Sequence, residues 1–149
     1  MKESPSQKSD SQDLQQDAKD SNDAFVDLQR GDSGIRVMFY NVENLFDTRD
    51  DSIKRDDDFT PRGIKGWGSR KYYTKLQNIY RTIMGVGGWE PPAIVGLCEV
   101  ENIFVLQELI SRTPLRKLGY DIIHEESPDR RGIDVAMLYR PSKFQPIRY

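Results

Sequence analysis

Residues Ala93-Ile94-Val95-Gly96-Leu97-Cys98 form an apolar run, broken only by Gly96, that stops abruptly at Glu99-Val100-Glu101-Asn102. A short run of this kind is the pattern of a strand buried on both faces, as in a parallel sheet covered by helices. Glu99 then stands where a buried strand ends. In open α/β sheets ligands gather at the carboxyl ends of the strands, because loops vary there while the sheet fixes their roots. A carboxylate at that place is either a metal ligand or a strand-end residue turning to solvent.

The preceding chain supplies a neighbour for that strand. Ile35-Arg36-Val37-Met38-Phe39-Tyr40 is rich in β-formers, follows Gly31-Asp32-Ser33-Gly34, and runs into Asn41-Val42-Glu43-Asn44-Leu45-Phe46-Asp47. Taken alone, Asn41 reads as a turn residue that hydrogen-bonds the backbone. Between the two strands the spacing predicts a helix over 70–84 with Ser69 as N-cap. Tyr72, Leu76, Ile79, Tyr80 and Ile83 make one apolar stripe, opposite an ordinary exposed face of Lys71, Lys75, Asn78 and Arg81. Gly85 is expected to stop the helix, and Gly87-Gly88 with Pro91-Pro92 to turn the chain into the next strand. Strand, helix, strand implies a right-handed crossover and parallel strands. Asn41 and Glu99 are therefore expected at one edge of one sheet, where two polar strand ends can share an ion.

Asn102 is expected to cap a helix over 103–112, ended by Thr113-Pro114. Strands follow over 120–124 and 133–139, with a fifth expected over 144–149. The short link from Glu125 to Gly132 predicts an antiparallel hairpin. If the third strand joins the parallel set, His124, Arg130 and Arg131 reach the same edge. His124, the single histidine, also fits a satisfied strand-end residue. The arginines offer fork-shaped donors for phosphate oxygens, or are simply solvated.

Composition bounds the remainder. In a chain of 149 residues, positions 1–34 hold only seven apolar side chains and a net charge of −4, which predicts a disordered polar arm. The body, 35–149, comes to +2, too weak a balance to imply nucleic-acid binding by itself. No segment is long and apolar enough to cross a bilayer, and no secretory signal is visible. As written the chain reads as soluble and cytoplasmic, though such an arm equally fits a spacer behind a removed export or lipid-anchor signal. Cys98 is the one cysteine, so no intrachain disulfide forms, and it reads as a small buried hydrophobe. From Thr48 to Gly68, acids at 50, 51, 56, 57 and 58 mix with bases at 49, 54, 55, 62 and 65. The spacing is not that of a calcium loop, so this reads as a solvated loop; the alternative reading is that Trp67 and the basic residues around it cover a phosphate-bearing substrate.

Taken together, the blocks at 35–47, Ile94-Val95-Gly96-Leu97-Cys98-Glu99-Val100-Glu101 and Arg131-Gly132-Ile133-Asp134-Val135-Ala136-Met137-Leu138-Tyr139 resemble the endonuclease/exonuclease/phosphatase superfamily, which includes exonuclease III-like and deoxyribonuclease I-like enzymes, and most closely its bacterial members. The resemblance implies an α/β fold: half of a four-layer sandwich, with a mixed sheet and helices on one face. It implies hydrolysis of phosphate esters, DNA or RNA among the substrates, with magnesium or else manganese. It places Glu99 and Asn41 at the metal, Asn41, Asp134 and Arg131 in catalysis, and Arg131 with His124 against the substrate. The family's later Gly-Asp-x-Asn block and terminal Asp-His pair do not occur in these residues, so 35–149 is expected to be the N-terminal half, with the C-terminal half as its partner. A non-catalytic phosphate- or nucleic-acid-binding fragment, and an inactive truncated product, are the competing readings.

Overall fold

The computed structural model describes residues 34–50, 54, 57–129 and 131–148; the polar arm expected over 1–34 lies, but for Gly34, outside them, as do Asp51, Arg55, Asp56, Arg130 and Tyr149. Four strands and two helices follow in order: β1 Val37–Leu45, α1 Ser69–Gly87, β2 Ile94–Val100, α2 Ile103–Ser111, β3 Asp121–Glu125 and β4 Asp134–Tyr139. Short 3-10 turns occur at Asp57–Phe59 and Pro114–Lys117.

The strands lie in the order β1-β2-β4-β3. β1 and β2 are parallel, as their helical crossover requires, and β4 is antiparallel to both β2 and β3. β3 thus runs in the direction of β1 and β2, so the ends of these three strands and the start of β4 share one edge.

Strand alternation sorts the side chains onto two faces. Met38, Val42, Val95, Leu97, Ala136 and Leu138 pack in one core with Tyr72, Leu76, Ile79 and Ile83 of α1 and Val105, Leu106 and Leu109 of α2. The apolar stripe expected on α1 is the face that packs, with Tyr80 at its margin. Full burial of a side chain such as Leu97, which has no exposed surface, contributes about 1.5–3 kcal/mol.

The opposite sheet face is open. Val37, Phe39 and Val135 on it are 64%, 76% and 52% exposed, and Ile94, Gly96, Cys98 and Met137 are only half-buried. β2 is therefore buried on one face rather than two, because both helices pack on the same side. Cys98 is accordingly half-buried and not a core residue.

Some boundaries also differ from the sequence reading. Gly68 is the N-cap of α1 and makes no side-chain cap, while Ser69 is the first helical residue. The helix runs past Gly85 to Gly87 and ends where Gly88 takes φ 58°, its N–H donating to Met84 O. A side chain at Gly87 would meet Pro92 Cδ at 2.9 Å. Asn102 caps α2 as expected, accepting from Val105 N–H. Residues 144–148 form no strand; after β4 the chain turns at Pro141, with Lys143 and Phe144 N–H on Arg140 O, and Pro146 lacks a ladder donor.

Candidate active site

Asn41 and Glu99 meet at the shared edge. Register pairs Asn41 with Cys98 and Leu45 with Val100, leaving three β1 residues opposite Glu99 alone. On the other side Cys98 faces Val135 and Val100 faces Asp134, so Glu99 is also an extra residue against β4. Such bulges bend a strand and re-aim a side chain.

Backbone strain collects at the same spot. Among the described residues the non-glycine positions with positive φ are Glu43 (55°), Asn44 (63°) and Glu99 (64°). Left-handed side-chain-bearing residues cost about 1–3 kcal/mol each, and they persist where the surroundings over-determine them.

Hydrogen bonds supply that determination. Asn41 Oδ1 accepts from Glu43 N–H at 2.7 Å, and Asn41 Nδ2 donates to Glu99 Oε1 at 3.1 Å. This fixes which way the amide faces. Asn44 N–H donates to Glu99 Oε2 at 3.1 Å, and Lys75 Nζ donates to Glu43 O at 2.6 Å. Asn41 is thus both the turn residue of the plain reading and a partner of Glu99. Lys75 is half-buried, and burial pulls its pKa down while the charges of Glu43 and Glu99 push it up. Just beyond, Asp47 N–H donates to buried Glu101 Oε2 at 2.6 Å, tying the strand ends together a second time.

The strain at residue 43 makes a direct test. All of Glu43's bonds described above are made by its backbone, so Glu43→Gly keeps them and removes the left-handed penalty. Urea unfolding is expected to show a gain of about 0.5–1 kcal/mol; a loss would contradict the conformation.

His124 and Asp134 form a second group on the edge. His124 Nε2 lies 3.0 Å from Asp134 Oδ2, and Ser127 N–H donates to Asp134 Oδ1 at 2.8 Å. The carboxylate only accepts, so Nε2 carries the proton. Ser127 Oγ donates to Ile133 O at 2.6 Å, closing the hairpin. His124 pairs with Ala136, and Asp134 precedes the open-face Val135, so both sit on the helix side, whereas Asn41 shares the open face with Phe39 and Cys98. The sheet brings Asn41 to Glu99 and His124 to Asp134, and sets the two pairs on different faces.

Arg131 is exposed in the hairpin and forks onto Asp129, with Nη2–Oδ2 at 2.8 Å and Nε–Oδ1 at 3.2 Å. The hydrogen bond and charge of Asp129, and more weakly the charge of Glu99, raise its pKa, so it remains a cation.

Sequence reasoning missed Glu43, Asn44, Ser127 and Lys75. Glu43 and Asn44 act through backbone groups, which carry no residue signal; Ser127 uses both its N–H and its hydroxyl, as serines in ordinary turns also do; Lys75 has the helical spacing of an exposed residue.

Among the described residues no three His, Cys, Asp or Glu side chains are placed together to hold an ion. The oxygens of Glu99 and Asn41 nevertheless suit magnesium, which takes hard oxygen ligands, keeps several waters and uses one or two protein groups plus substrate phosphate. Each Glu99 oxygen accepts one hydrogen bond and retains capacity for a ligand.

A mixed sheet with helices on one face, and a carboxylate and an amide held together at the strand ends, define an α/β protein with a candidate site at one edge of its sheet. The chain belongs to the Endonuclease/Exonuclease/phosphatase family, whose model matches residues 36–149. The family has an α/β-sandwich fold, and its members act on phosphoester bonds and generally use divalent metals. The chain has no match among the curated proteins or the solved structures compared with it.

Proposed function

We propose that this chain carries the metal-binding edge of a magnesium-dependent phosphodiesterase, a nuclease or a related enzyme, with manganese as the alternative ion. The observation that carries the reading is the Asn41–Glu99 contact, held by three left-handed residues where a plain strand end would need none.

Glu99 and Asn41 would hold the ion. When bound, magnesium polarises a phosphoryl group and stabilises charge on the leaving oxygen. Asn44 N–H and Asn41 Nδ2 keep the Glu99 carboxylate oriented. Arg131, released from or shared with Asp129, binds a phosphate oxygen. Asp134 and His124 act as positioning residues: through Ser127 they fix the hairpin that carries Arg131. We further infer that residues 35–149 supply one sheet-and-helix half of a sandwich, with the open face of Val37, Phe39 and Val135 meeting a second sheet.

The test is hydrolysis of bis(4-nitrophenyl) phosphate by the complete protein, which EDTA should abolish and magnesium restore. Turnover indifferent to EDTA would remove the proposal.

A further inference from the structure

A groove of about 570 Å3 lies along the outer face of α1, lined by Trp67, Arg70, Lys71, Thr74, Lys75 and Asn78. α1 carries Arg70, Lys71, Lys75 and Arg81 and no acidic residue. Elsewhere Arg112 pairs with the Glu108 carboxylate, Arg131 with Asp129, and Arg140 and Lys143 with Glu90, whereas Arg36 and Arg116 donate to backbone carbonyls. In the groove, Lys71 Nζ donates to Lys65 O and Lys75 Nζ to Glu43 O, both carbonyls, and Arg70 has no ion pair among the described residues.

This arrangement is unfavourable by itself. Arg70 and Lys71 occupy the first turn, where the helix dipole favours anions. Lys71 and Lys75 are a like-charge i, i+4 pair, destabilising by about 0.2–0.5 kcal/mol. An anion in the groove relieves both penalties at once. The floor is fixed to receive it: Trp67 Nε1–H donates to Phe46 O at 3.0 Å, and Lys75 Nζ sits 5.7 Å from the ring centroid. Lys75 Nζ holds the carbonyl of Glu43, next to Asn44, whose N–H holds Glu99, so this end of the groove adjoins the candidate metal edge.

We propose that this groove binds a second phosphate group of the substrate, so that the natural substrate is a polyphosphorylated ester and not a lone diester. The inference rests on the phosphoesterase reading of Asn41 and Glu99. A nucleic-acid strand and a polyphosphorylated small molecule share the required chemistry.

The test is binding to the full chain in EDTA, with a labelled 12-nucleotide single strand, inositol hexakisphosphate and bis(4-nitrophenyl) phosphate as probes. Arg70→Ala with Lys71→Ala, both exposed positions, is expected to weaken the two polyanions roughly tenfold and to reduce the salt slope for the single strand by about 0.7 per cation removed. The single-phosphate probe should bind wild type and variant alike. Tighter binding of the strand than of the hexakisphosphate marks a strand as the source, and the reverse order marks a small polyphosphate. Unchanged affinity for both polyanions in the double variant overturns the proposal, as does a wild-type salt slope near zero. Because turnover is absent in EDTA, this result stands apart from the outcome of the hydrolysis assay.

Discussion

Glu99→Gln in the complete protein is expected to lower turnover of a model phosphodiester by at least about 100-fold and to weaken manganese binding, read by the paramagnetic signal of the free ion. Both carboxylate oxygens of Glu99 accept hydrogen bonds, one from Asn41 Nδ2 and one from Asn44 N–H. A glutamine offers one oxygen and one NH2, so one of these donors must face another donor. The substitution removes the charge that would attract the ion and also unsettles the turn that aims the group. Urea unfolding should change by no more than about 1–3 kcal/mol, the cost of one unsatisfied donor. Unchanged turnover at saturating magnesium would end the assignment of Glu99.

Asp134→Ala is expected to be the more damaging change for the fold. Asp134 is 3% exposed, and its two oxygens satisfy His124 Nε2 and Ser127 N–H. Alanine leaves both donors short of a partner in a largely buried place, at a cost of about 2–4 kcal/mol out of a typical 5–15. Asp134→Asn keeps one acceptor and should lose about half as much. Urea midpoints compare the three proteins, and amide exchange at Ser127 should quicken in the alanine variant. Equal stability of wild type and alanine variant would show that the hairpin is held by something else.

The layout of the sheet was legible because hydrophobic periodicity is a strong signal. The apolar run before Glu99, the stripe from Tyr72 to Ile83 and the Asn102 cap each fall where the chain places them. The one-sided burial of β2 was not, since an apolar run shows that a strand avoids water without showing on which faces it is covered. The fifth strand failed because β-formers around Pro146 outweighed the missing donor in the reading. Within the site, residue type and strand order led to Asn41 and Glu99, which do meet. The bulges were hidden: left-handed Glu43 and Glu99 break the preference that gives those turns to glycine. The division of His124 and Asp134 from Asn41 across the sheet depends on register, which the spacing of blocks does not contain.

The one-sided sheet also sets how this chain tolerates mutation. Along β2 the permitted alphabet changes at every step. Val95 and Leu97 answer to volume, because any change there must be absorbed by α1 and α2. Ile94 and Cys98 answer only to what covers the open face. Gly96 is the exception on that face, since a Cβ there would come within 2.9 Å of the Phe39 ring. A substitution scan of this strand should therefore beat with a period of two, and its phase would report which side of the sheet is covered in the protein under test.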